Sequence, residues 1–135
     1  MTEEIGFEVH VGKSYDEALE IVTLALKAEG FGVLTKIDVK ATLKEKLGED
    51  FRPYAILGAC NPPLAHQALS NEPIVGLLLP CNVTVEESPE GGSIVRLINP
   101  EVMMGVGDLD ETLKGVAAEA RSRIERVAQA LRDTG

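Results

Sequence analysis

The sequence predicts an α+β fold: one antiparallel or mixed sheet, with two long helices packed on one face and short inserted helices. Three observations carry this reading. Residues 5–11 alternate apolar and polar in the period-2 pattern of a half-buried strand. Apolar stripes at helical spacing mark two one-sided helices, one near each end of the chain, and each needs an apolar layer to cover it. Two alternating runs flank SPEGGS, a turn sequence, and so form an antiparallel pair. The 135 residues show no internal repeat and no low-complexity linker, so 1–135 is taken as a single domain.

The elements follow in order. In the first strand Ile5, Phe7, Val9 and Val11 face one way and His10 falls on the polar side. Ser14 caps the first helix, and Glu17 completes an S-x-x-E capping box. Apolar residues at 15, 18, 19, 22, 25 and 26 form its buried face, and Gly30 suits the position just past its end. A second strand covers about 31–37, with Phe31, Val33 and Ile37 expected on one face. Asp38 caps a short helix carrying Val39, Leu43 and Leu47, and Gly48 stops it.

The third strand, about 54–60, is apolar on both sides, which predicts an interior position. Asn61 caps a further helix with Pro62 at its first position, ending near Ser70. EPIVGLLLP reads as a turn of helix followed by an extended run. Cys81, Val83 and Val85 then share one face of a strand, and IVRLIN returns beside it with Val95 and Leu97 inward. EVMMGVG reads as a loop. Asp108 and Glu111 suit the N-cap and third positions of the last helix. Its stripe is Leu109, Leu113, Val116, Ala120, Ile124, Val127 and Leu131 over about 24 residues, or roughly 36 Å.

Charge narrows the partners. The formal net charge is −9, which repels phosphate backbones and anionic lipid surfaces, so neither nucleic acid nor a membrane is expected. The arginines at 121, 123, 126 and 132 alternate with Glu119, Glu125 and Asp133 and read as a solvated helix face. The amino terminus lacks a secretory pattern and no apolar run reaches the roughly 20 residues of a bilayer span, so a cytoplasmic protein with reduced thiols is expected.

Two near-duplicate elements stand out. The only two cysteines, Cys60 and Cys81, are each followed by asparagine and each lie within two residues of proline. LGACNPPLAHQAL followed by LLLPCNVTV resembles the domain of unknown function 302 family, and the resemblance runs from the strand at Phe7 to the final helix. It implies a TATA-binding-protein-like fold of order β-α-β4-α and members that are often dimeric. It implies no reaction, and fold analogy supplies none. The DNA-binding use of that fold class conflicts with the negative charge.

The thiols admit four readings. First, both are small buried hydrophobes. Pro62 and Pro63 lack N–H donors, which weakens the helix N-terminus as an activator of Cys60. Cys81 shares a face with valines, an apolar setting that raises a thiol pKa. Second, Cys60, Asn61, Pro62, Cys81 and Asn82 line a pocket for a small polar ligand. Third, Cys60, His66 and Cys81 bind a metal, although their spacing matches no standard element. Last comes a redox pair. Met103 and Met104 suit core filling, a dimer contact or an adaptable pocket, and Glu86, Glu87 and Glu90 read as a solvated tip. No catalytic triad, phosphate loop or nucleotide fingerprint is present, so no cofactor is specified. The leading expectation is a non-enzymatic ligand-binding or interaction module that forms a homodimer, since a bare sheet face or edge is often covered by a second copy. The alternative is a thiol- or metal-dependent enzyme using Cys60 and Cys81.

Overall fold

The computed structural model describes residues 5–104 and 111–134. The alternating run forms strand β1 (Gly6–Val11), followed by helix α1 (Tyr15–Ala28). The Ser14–Glu17 capping box closes the front of α1. At its end Gly30 takes φ 86°, and the N–H groups of Gly30 and Phe31 donate to the Lys27 and Leu26 carbonyls. This is a Schellman close, and the left-handed step explains the glycine. It drops Phe31 into the core just before β2 (Gly32–Asp38).

Helix α2 (Val39–Leu47) is capped by Asp38 and stopped by left-handed Gly48, as expected, yet none of its residues is buried. Strand β3 (Tyr54–Cys60) leads into α3 (Pro62–Asn71), capped by Asn61. EPIVGLLLP resolves into a 3-10 helix (Pro73–Leu78) and an extended Leu79 before the cis peptide to Pro80. Strands β4 (Cys81–Glu87) and β5 (Ser93–Ile98) form the predicted pair. The expected methionine loop is instead a short helix, α4 (Pro100–Met104). The last helix, α5, is described over Glu111–Thr134, while the cap assigned to Asp108 and the contact assigned to Leu109 lie outside the described residues.

The sheet order is β1-β5-β4-β3-β2, with every pairing antiparallel. Without the short helices the chain reads β-α-β4-α. Helices α1 and α5 pack against each other and on one face of the sheet. Val83, Val85, Val95 and Leu97 meet Val22, Leu26, Ile124, Val127 and Leu131 there, all essentially without solvent contact. Each such side chain contributes about 1.5–3 kcal/mol relative to exposure. No helix among the described residues is long and apolar enough to cross a membrane.

Three expectations are corrected. In β2 the register jumps between Val33, opposite Ala59, and Thr35, opposite Gly58. Leu34 is the extra residue of a bulge, so Ile37 lies on the face opposite Val33 rather than beside it. Glu86 is not part of a solvated tip: it is buried, and both Arg52 and Arg96 donate to it, Arg52 Nε at 2.5 Å. Burial works against its ionisation, but the two arginine hydrogen bonds prevail and hold its carboxyl below the usual value. The arginine face of α5 is more than a solvated surface. Arg126 pairs with Glu29 at 2.9 Å, and Arg121 with Glu101 at 2.7 Å, tying α5 to the end of α1 and to α4.

Candidate functional site

Beyond the end of β3 and the start of β4, the long helices no longer cover the sheet alone. There the walls are the 10-residue α3, the six-residue 3-10 helix, the five-residue α4 and the first turns of α5. Many of the residues they present are small: Ala65, Ala68, Gly76, Ala117 and Ala120, with Ala59 of β3 also in the lining. Short elements set by turns cannot close up as two long helices do, and alanine fills little of the gap between them. The result is a cavity of about 370 Å³. Leu64, Leu79, Met103, Met104 and Val116 complete its apolar wall. Leu34, pushed out by the β2 bulge and 69% exposed, stands with Leu69 at the edge of the lining.

The structure brings Cys60, Asn61 and Cys81 to this cavity. Cys81 is opposite Ala59 in the ladder, so Cys60 lies one step past it. The pleat turns the two side chains to different sides, and the cavity reaches both because it wraps the end of the strands. Both thiols are free. Burial, with a smaller effect from Cys60, pushes the Cys81 thiol up to about 11. It is therefore protonated near neutral pH and is no ready nucleophile.

Asn61 has a structural task. Its Oδ1 accepts the Leu64 N–H at 3.3 Å and its Nδ2 donates to the Glu29 carbonyl at 3.5 Å. The same carbonyl accepts from Arg123 at 3.0 Å. The buried amide thus joins the end of α1 to the start of α3, and the Glu29 carbonyl it shares with Arg123 adds the flank of α5. Gly30 leaves room for it, since a Cβ there would stand 3.0 Å from the amide nitrogen.

The other candidates fall elsewhere. Pro62 is exposed at the first position of α3 and is not part of the wall. Asn82 is opposite Gly58 on the far side of the strand and faces a separate depression of about 280 Å³ with Tyr54, Thr84 and Arg96. His66 is exposed on α3, outside the cavity. The expected Cys60–His66–Cys81 set is therefore not assembled, and among the described residues no group of three His, Cys, Asp or Glu could hold a metal. Sequence reasoning missed Leu34 and the alanines as wall residues. Their spacing carries no signal, because a bulge and short helices decide which way they point.

Together the fold and the site define a small α+β domain, with a single antiparallel sheet and an apolar hollow at one end of it. Residues 7–131 match the family model for Domain of unknown function DUF302, and the chain belongs to that family. The chain is similar to the uncharacterized conserved protein DUF302 from Bacillus stearothermophilus, known from a crystal structure. The TM-score is 0.85 and the identity 33%, over 95% of this chain and 98% of that one. None of the curated proteins compared matches the chain. The resemblance carried by CNPP and LLPCNV is thereby borne out.

Proposed function

We propose that this protein is a non-enzymatic binding module whose cavity takes an uncharged, mainly apolar small molecule. The architecture is read as TATA-binding-protein-like. The supporting observation is the wall: no charged side chain lines the cavity among the described residues, and the amide of Asn61 is already engaged. A polar ligand would lose its hydration with little in return. The reading therefore departs from the small polar ligand expected from the asparagines. A dry cavity of 150 Å³ holds benzene, so a cavity of about 370 Å³ suits a ligand of about 15 non-hydrogen atoms.

The test uses a neutral fluorescent probe, N-phenyl-1-naphthylamine. Saturable, one-to-one enhancement is expected. Ala65→Phe places a ring in the hollow from a half-buried position and should weaken binding at least about tenfold while the protein still unfolds cooperatively. Absence of saturable binding, or a folded Ala65→Phe protein that binds as well as the parent, would refute the reading.

A further inference from the structure

We propose that the sheet face turned away from α1 and α5 is a docking surface for a second copy of this chain, with Ile37 of each copy seated against the depression beside Ile5 and Ile98 of the other. The ladder assigns this face. Ile37, Ile56, Thr84, Arg96 and Glu8 follow one another across the five strands, flanked by Ile94 and Ile98 on β5 and by Tyr54 on β3. Their chain neighbours Val83, Val85 and Leu97 are the ones sealed under the helices. The outer side has no such cover among the described residues: α2 touches β2 and β3, yet none of its residues is buried. Ile37 is 49% exposed, and Ile56, Ile94, Ile98 and Tyr54 are only half-buried.

Charge, shape and area identify the occupant. Arg96 bonds Glu8 at 2.8 Å and also Glu86, and Arg52 takes the other oxygen of Glu86 at 2.5 Å. Two carboxylates and two guanidinium groups leave the face neutral on a chain of net charge −9. Two copies meeting here avoid the repulsion that their remaining surfaces carry, and no unpaired charge is buried. The shape is self-complementary. Ile37 projects from edge strand β2, while the depression of about 280 Å³ lies on the other half of the face, where Ile5, Gly6 and Ile98 meet Thr84 and Arg96. A two-fold axis along the central strand β4 sets β2 of one copy over β1 of the other and keeps each ladder row in line, so each projection meets a depression. Sheets stack face to face in this way about 10 Å apart. Five strands about 4.8 Å apart and about 20 Å long make a face of roughly 480 Å² per copy, or about 1,000 Å² for the pair. A specific interface clears about 1,000 Å², so the face suffices for a reversible dimer and is too small for an obligate one. This inference goes beyond the apolar-ligand reading and does not depend on it, since Ile37 is outside the cavity wall.

The test is sedimentation equilibrium of the full chain. A monomer–dimer equilibrium with a dissociation constant on the order of 10 μM is expected. Ile37→Asp sets a carboxylate against Glu8 of the other copy and should weaken association at least about tenfold. Ile37 is exposed on an edge strand, so the variant should fold, and urea unfolding checks this. Ile37→Ala serves if it does not. Ile37→Ala and Ile5→Ala should each weaken association, and together by less than the sum of their separate effects, because both act on one contact. Leu24→Asp, at an exposed position of α1 on the other side of the sheet, should associate like the parent. The proposal is overturned if the parent sediments as a monomer at about 100 μM, or if folded Ile37→Asp associates undiminished. It is equally overturned if the two alanine effects simply add, which would place the contact on a strand edge, or if Leu24→Asp separates the copies, which would place it on the helices.

Discussion

The two ends of strand β4 belong to different kinds of interior. Along most of its length Val83 and Val85 are sealed beneath α1 and α5. At its first residue, Cys81, the strand opens onto the hollow. Both interiors are aliphatic, so polarity does not separate them. What differs is the length of the elements and the size of the facing residues. Two helices of 14 and 24 residues present continuous stripes to a pleated surface and interdigitate with it. Three short helices meeting through alanine and glycine do not. A chain with ordinary composition can thus produce a solid core and an apolar hollow within a few residues of each other.

The largest effect should come from opening the solid region. Ile124→Ala removes a side chain with no solvent contact and is expected to cost about 2–5 kcal/mol in urea unfolding. A cost under about 1 kcal/mol would mean that the layer under α5 is as loose as the hollow, and the contrast would fail.

A smaller effect is expected at the far end of β4. Glu86→Gln removes the charge that Arg52 and Arg96 share, and both arginines are substantially exposed, so about 1 kcal/mol is expected after screening. The sign with pH follows from the lowered pKa. The contribution is complete above the ordinary carboxylate value of about 4.3 and is lost as pH falls through the lower folded value. Parent and variant should therefore converge in stability in acid. Probe binding should be unchanged, because Glu86 is not in the cavity wall. A pH-independent gap between the two proteins would show that the lost interaction is not ionic.

The smallest effect should come from Ala68→Val, which adds two methyl groups at a wall position. In a packed core this substitution would cost about 1–3 kcal/mol through crowding. Beside a hollow it should be within about 0.5 kcal/mol of neutral, or stabilising, by thermal unfolding. A loss as large as that in a packed core would mean that the space is not available to the new side chain.

The sequence by itself determined most of the element types and their ends, α4 excepted, and the buried stripe of α5 from Leu113 onward, because these rest on local chemistry. Ser14 with Glu17, Asp38, Asn61 and Gly48 act within one turn of themselves, and the period of apolar residues fixes which face a helix or strand must hide. Tertiary structure alone decided the site. The bulge at Leu34 reversed the face of Ile37, the ladder register sent Asn82 away from Cys81, and the folding of α4 placed two methionines in the cavity wall. Each of those outcomes depends on where a distant segment lies. Glu86 shows the same rule: its neighbours in sequence suggest solvent, and only strand pairing brings Arg96 across to it, with Arg52 from the approach to β3. Local patterns record what a residue prefers, while a cavity is the volume that several separate preferences leave unfilled.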